Sequence, residues 1–360
     1  MRLFFILLLI FSISDAKAPK KNKKHSEKKI SKSKSSGANL PNLFQLCESD
    51  NYKALLKIPN LKSRLNTANR EGYTPLAYCI ERGSQKSAEV LIKHETNFNW
   101  KGPNRYNLAL LSSRNGMLSI LKTVLKKKPN LLKSKDRFNN SLLDHAISRK
   151  RVLIIEYFLQ SYPSWIASEK LKNLTLFNLA ESGSPEIIKL LFPEKPKISE
   201  NKESQFLQKC AESKPELLDT FLEIGFRLEA KDEEGDTVLH KIVENGDSDL
   251  LISLIEKKPN LKKNNNDESL LHLAVKYNRE EIVEILLKNG LKPEEVDKEG
   301  NTSLHLSVEN DSPGIIYKLI KSGMDINAKN GRGDTPLSIA RQSENETAIY
   351  LLLLAGAKEE

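Results

Sequence analysis

The chain has 360 residues, 39% of them apolar, which is enough for a real core and excludes disorder throughout. Its formal charge of +10 would point to nucleic acid or anionic membrane only if it were spread over the fold. Residues 19–36 hold eight Lys against Glu27 and contribute +7, residues 1–18 add +1, and only +2 remains beyond Ser36, so the basic character belongs mainly to a short leader.

Residues 1–18, MRLFFILLLIFSISDAKA, place one cation, Arg2, before an apolar run from Leu3 to Phe11 and small residues around Ala16 and Ala18. This predicts a secretory signal peptide, and with it a secreted or periplasmic protein. The run is shorter than the roughly 20 apolar residues that cross a bilayer, so no transmembrane segment is expected in the mature chain. Residues 19–40 are rich in Lys and Ser and almost free of large apolar side chains, which predicts a disordered leader. The leader reads as a solubilising spacer or, alternatively, as a weak electrostatic contact with an anionic envelope surface.

From residue 41 to 360 one unit recurs with a period close to 33, best seen in YTPLAYCIERG, DTVLHKIVENG, SLLHLAVKYN, TSLHLSVEND and DTPLSIARQSE. Anchor positions fall at Asn42, Thr74, Asn107, Ser141, Thr175, Gln205, Thr237, Ser269, Thr302 and Thr335. About eleven residues after each anchor an apolar stripe with three- and four-residue steps, such as LSILKTVLKKK or EEIVEILLKNG, predicts a second helix. Gly235, Gly300 and Gly333 sit where a hairpin would need positive φ. One such unit cannot bury its own apolar face, so the units should stack.

These residues resemble the ankyrin repeat, whose motif is T-P-L-H-x-A followed by a second helix and a hairpin. The resemblance implies an all-α ankyrin-repeat solenoid of about ten helix-turn-helix repeats with short β-hairpin-like loops. The repeats over about 104–235 are weaker and lack T-P-L-H. The interval FPEKPKISENKES, with Pro193 and Pro196, coincides with the one spacing of 30 and reads as loop variation with the fold retained.

His240, His272 and His305 each lie three residues after an anchor, in the His slot of the motif. The resemblance implies a structural role, hydrogen-bonding the helix start and the adjoining loop. Helices stacked about 8–10 Å apart cannot bring three equivalent imidazoles within about 2.1 Å of one zinc, so no metal site is expected. Cys47, Cys79 and Cys210 lie five residues after anchors, where a small residue is needed. The same spacing of about 10 Å exceeds the roughly 7 Å limit between bridged α-carbons, so three free thiols and no disulfide are expected.

No GxSxG elbow, P-loop, HExxH, CxxC or GxGxxG occurs, so neither catalytic residues nor a cofactor are expected. Ankyrin arrays bind proteins in a concave groove made by hairpin tips and the exposed side of the first helices. Carried onto this chain, the groove runs from an Arg- and aromatic-rich beginning to an acidic end at Glu233, Glu234, Asp236, Glu244, Glu268, Glu299 and Glu309. Tyr and Arg are the residue types most enriched at binding hot spots. The expected partner site is therefore Arg70, Tyr73, Arg82, Tyr106, Arg114, Phe138 and Arg149. The function expected is a non-catalytic scaffold, a monomer, that binds a protein partner and no specific nucleic acid. The alternative is a surface binder attached through the leader, with the array mainly structural.

Overall fold

A computed structural model describes residues 42–359 apart from 95, 96 and 171. The signal peptide and the Lys-rich leader lie outside the described residues. Among the described residues there are 21 α-helices and two isolated antiparallel bridges, Lys135 with Ser141 and Val296 with Thr302. Ten helix pairs follow one another, with one additional helix, Pro163–Glu169, after the fourth pair.

The second pair shows how the sequence builds a unit. Thr74 is extended and its Oγ1 accepts from the Ala77 amide, Pro75 occupies the first turn where its missing N–H costs nothing, and Gly83 closes helix Pro75–Arg82 with φ of 76°. Helix Gln85–Ile92 then returns antiparallel. First helices pack on first helices and second helices on second helices from one unit to the next. The apolar stripes meet in one core running from Leu43 to Ala357. In helix Leu118–Lys127, Ile120, Leu121, Val124 and Leu125 are all buried, each worth roughly 1.5–3 kcal/mol before the entropy of ordering is subtracted.

Eight of the ten anchors are N-cap residues of first helices. The exceptions are corrections to the expected register. Thr175 lies inside helix Asn173–Ser182, and Gln205 lies inside helix Glu200–Ser213, which is capped by Ser199. The cap of that helix lies six residues before its anchor, yet Cys210 still fills the small-residue slot with no exposure, so the stack keeps its register. Buried Glu203 joins the irregular segment before this helix to the one after it. Its carboxylate accepts from Lys195 Nζ at 2.8 Å and from the Arg227 amide and Nη2 at 2.6 and 3.2 Å.

The hairpins have a second device. Five residues before most anchors stands Asn or Asp, whose side chain accepts amides two and four residues on, as Asp232 does from Glu234 and Asp236 and Asn264 from Asn266 and Glu268. Two residues before the anchor the backbone is left-handed. At Gly300, φ is 79° and a Cβ would meet the Gly331 amide nitrogen at 2.6 Å, so glycine is needed for both reasons.

The expectation of three free thiols is wrong. Cys47 and Cys79 form a disulfide with α-carbons 4.8 Å apart, and Cys210 is the free, buried thiol. The assumed 8–10 Å is a spacing between helix axes separated by ordinary side chains. Here the slot holds Cys, Cys, Ser, Ala and Ala in the first five units, and small residues let the backbones come much closer.

Candidate partner-binding face

The three motif histidines build the scaffold of this face. Nδ1 of His305 accepts from the Thr302 amide at 3.1 Å and lies 2.8 Å from Thr302 Oγ1. An accepting Nδ1 leaves the proton on Nε2, which reaches the Asp334 carbonyl of the next hairpin at 3.0 Å. His272 repeats the arrangement on Ser269 and the Asn301 carbonyl. His240 makes the Thr237 contacts, but its Nε2 has no hydrogen-bond partner. Burial holds all three imidazoles below their ordinary value, His240 at about 4 with the Lys231 charge adding to the effect. No group of His, Cys, Asp or Glu suited to a metal ion occurs among the described residues.

On the first helices of the early units and the hairpins just before them, aromatic rings and guanidinium groups lie close together. Half-buried Tyr73 lies 6.3 Å from the Tyr78 ring and 5.6 Å from Trp100, whose Nε1 donates to the Gly72 carbonyl. Exposed Arg82 places its guanidinium 4.9 Å from the Tyr78 ring centre, while the Tyr78 hydroxyl donates to Glu48. One unit on, Arg114 lies 5.5 Å over Tyr106 and pairs with Glu81 at 3.3 Å. The Tyr106 ring is 5.3 Å from that of His145. Burial raises the Tyr73 and Tyr106 phenols, and the Glu48 hydrogen bond raises Tyr78, so all three are neutral donors at physiological pH. Cation–π contacts of this kind hold flexible arginines in place at a cost in solvation smaller than that of an ammonium group.

Of the expected site residues, the structure joins Tyr106 to Arg114 and sets Tyr73 and Arg82 on either side of Tyr78. Phe138 is 64% exposed at a hairpin tip, with Arg137 over its ring at 5.0 Å. Arg70 and Arg149 are exposed and make no ion pair among the described residues. The Arg149 charge is felt at Tyr106, where it opposes the rise in pKa.

Tyr78 and His145 are the members that sequence reasoning missed. Both lie four residues after an anchor, a slot that leucine fills in five of the ten units, and that substitution was the readable sign. His145 Nε2 lies 3.2 Å from Asp136 Oδ2. Burial outweighs the Asp136 charge and lowers the His145 pKa, so the imidazole there is neutral.

The acidic end differs from its expected openness. Glu268 is buried and accepts from Asn264 and from Lys276 at 2.7 Å. Lys241 pairs with Glu244 at 2.9 Å and lies 4.0 Å from Glu212. These charges are matched within the array, while Glu233, Glu234, Glu299 and Glu309 stay exposed, as do the Arg70, Arg82 and Arg149 side chains of the early units.

A family model described as ankyrin repeats in three copies matches residues 207–297, and one described as ankyrin repeats in many copies matches residues 293–340. No curated protein matches the chain. Ankyrin repeats are a protein–protein interaction module, and no helix among the described residues is long and apolar enough to cross a membrane. Residues 207–340 thus carry ankyrin repeats, and the same capped helix pairs and left-handed hairpin turns stack back to residue 42, so the described fold is an all-α ankyrin-repeat solenoid.

Proposed function

We propose that the protein is a non-catalytic scaffold, secreted or periplasmic, that captures a partner protein on the first-helix face of its early repeats. The observation that carries this reading is the close grouping of Tyr73, Arg82, Tyr106 and Arg114, held by ring and cation–π contacts before any partner arrives. Such pre-ordered Tyr and Arg side chains lose little entropy on binding and are the types that dominate interface energies. Arg70, Phe138 and Arg149 form the exposed margin of the site. The histidine slots support a structural assignment for His240, His272 and His305, since each imidazole is committed to its own helix start.

Export is supported by the disulfide between Cys47 and Cys79, because such bonds persist in oxidising compartments. The test is an affinity capture with the full chain, repeated with Tyr106→Ala and Arg82→Ala. Each substitution should weaken capture of the recovered partner at least tenfold while leaving the helical circular-dichroism signal intact. Undiminished capture by both variants would sink the assignment of the face. Activity of the recovered complex against any substrate, lost on His240→Ala in a folded protein, would overturn the non-catalytic reading.

A further inference from the structure

We propose that the third repeat carries a second docking site, away from the first-helix face, that takes an acidic segment of the partner protein with one of its side chains seated against Trp100. The proposal rests on the protein-binding reading above and names the chemistry of part of that partner.

Residues 96–135 contain nine Lys or Arg and no Asp or Glu. In later units several cations are matched by acids of the same or the next unit, as in the pairs of Lys276 with Glu268 and Lys318 with Glu284. Here Arg114 alone of the nine has a carboxylate within ion-pair distance among the described residues. The next acids along the chain, Asp136 and Asp144, are buried and bonded to their own loop and helix start, so they do not offset this surface. A surface of one sign over a whole repeat attracts the opposite charge and repels other cationic chains.

A cavity of about 530 Å³ opens in this surface between the segments that follow the second helices of the second and third units. Its lining sets the apolar side chains of Phe98, Trp100 and Leu131 beside the cations Lys101, Arg105 and Lys135. The volume lies in the range of pockets that hold a side chain or a small ligand. Two departures from the other hairpins shape it. Gly102 stands where most hairpins have Asn or Asp, and a Cβ there would meet the indole of Trp100 at 2.2 Å, so glycine admits the ring. Arg105 has φ of 61° in the left-handed slot that Gly72, Asn139, Gly235, Asp267, Gly300 and Gly333 fill elsewhere. Glycine, Asn and Asp tolerate this conformation and arginine does not favour it.

The indole is 6% exposed and its Nε1 is already bonded to the Gly72 carbonyl, so it offers no open platform for stacking bases. It does form a wall for an aliphatic or aromatic side chain. An acidic peptide with one such anchor fits both the charge and the cavity.

The experiment uses the full chain with Trp165→Phe, which leaves Trp100 as its one tryptophan. The probe is a 15-residue peptide alternating Glu and Ser around a central Leu, and the readout is Trp100 emission, which does not report binding to the Lys-rich leader. A saturable shift is expected, weakened at least tenfold by Arg105→Glu and by raising NaCl from about 50 to about 500 mM. A peptide with Gln in place of Glu should give no shift, and Lys298→Glu, an exposed cation of a distant hairpin, should change nothing. If Arg105→Glu does not fold by circular dichroism, Lys101→Glu combined with Lys135→Glu carries the same test.

An unchanged Trp100 signal overturns the proposal, as does binding insensitive to these reversals. A 15-nucleotide single strand that shifts Trp100 at least as tightly as the peptide also overturns it. Tyr106→Ala and Arg82→Ala should leave the peptide affinity unchanged. If they abolish it, the acidic segment belongs on the first-helix face and this proposal falls while the protein-binding reading stands. If peptide binding persists but neither variant alters partner capture, the first-helix assignment falls alone.

Discussion

His240, His272 and His305 show how one residue type can carry structural load without chemistry. Each ties a helix start to itself, and two of the three also reach the next hairpin, so a neutral ring serves where a charged one could not accept the amide. Because burial lowers their folded pKa, the unfolded chain binds protons more readily below its ordinary value of about 6.5. The stability they confer is therefore present above that pH and is lost as the pH falls through the folded value. For His240, at about 4, the loss between pH 7 and pH 4 should be on the order of 3 kcal/mol. Urea midpoints measured across that range should fall, and the fall should be smaller in His240→Gln.

Glu203 is a different case, a buried carboxylate with two cationic partners across irregular chain. Removing it leaves the Arg227 amide without its acceptor, so Glu203→Ala should cost about 2–4 kcal/mol in urea unfolding. Neighbouring Glu200, half exposed and 3.9 Å from the same arginine, should tolerate alanine within about 0.5 kcal/mol. Equal effects of the two substitutions would remove Glu203 from its bridging role.

Among the elements, the first helix of each unit was legible wherever Thr, Ser or Asn stood at the cap with an apolar run behind it. At Gln205 the period and the cap disagree, and the cap is right. Ser199 followed by Glu200 and Glu203 is an acidic first turn after a good cap, and it places the cap six residues upstream. Of the candidate site, the arginines and tyrosines at family positions could be found in the sequence. Tyr78, His145 and the bare cations around Trp100 could not, since they depend on which side chains meet across units and on charge cancelling elsewhere in the chain. The disulfide was hidden for a related reason, because helix-axis spacing says little about backbones separated by small side chains. Thiol counting checks it: the native protein should react with no equivalent of a thiol reagent, the unfolded protein with one, and the reduced unfolded protein with three. Burial, which raises the Cys210 thiol to about 12, explains the native silence. Reduction, which opens a loop with a sequence separation of 32, should lower stability by about 3–4 kcal/mol.

At the scale of the whole array, each unit touches chiefly its neighbours, so damage should spread from the ends inward. The covalent bond between the first two units changes what an end means here. Pulled from both termini, a chain of this kind would peel repeat by repeat, but the segment from Cys47 to Cys79 is a closed ring and cannot lengthen. About 105 Å of contour, the reach of some 32 residues, is thereby withheld from any applied force. Single-molecule stretching should show that length appear only in the presence of a reductant, and its appearance without one would mean that the ring does not exist. Under load the extensible length is shortened, and the yield point at the N-terminal end of the array moves inward, past the second repeat.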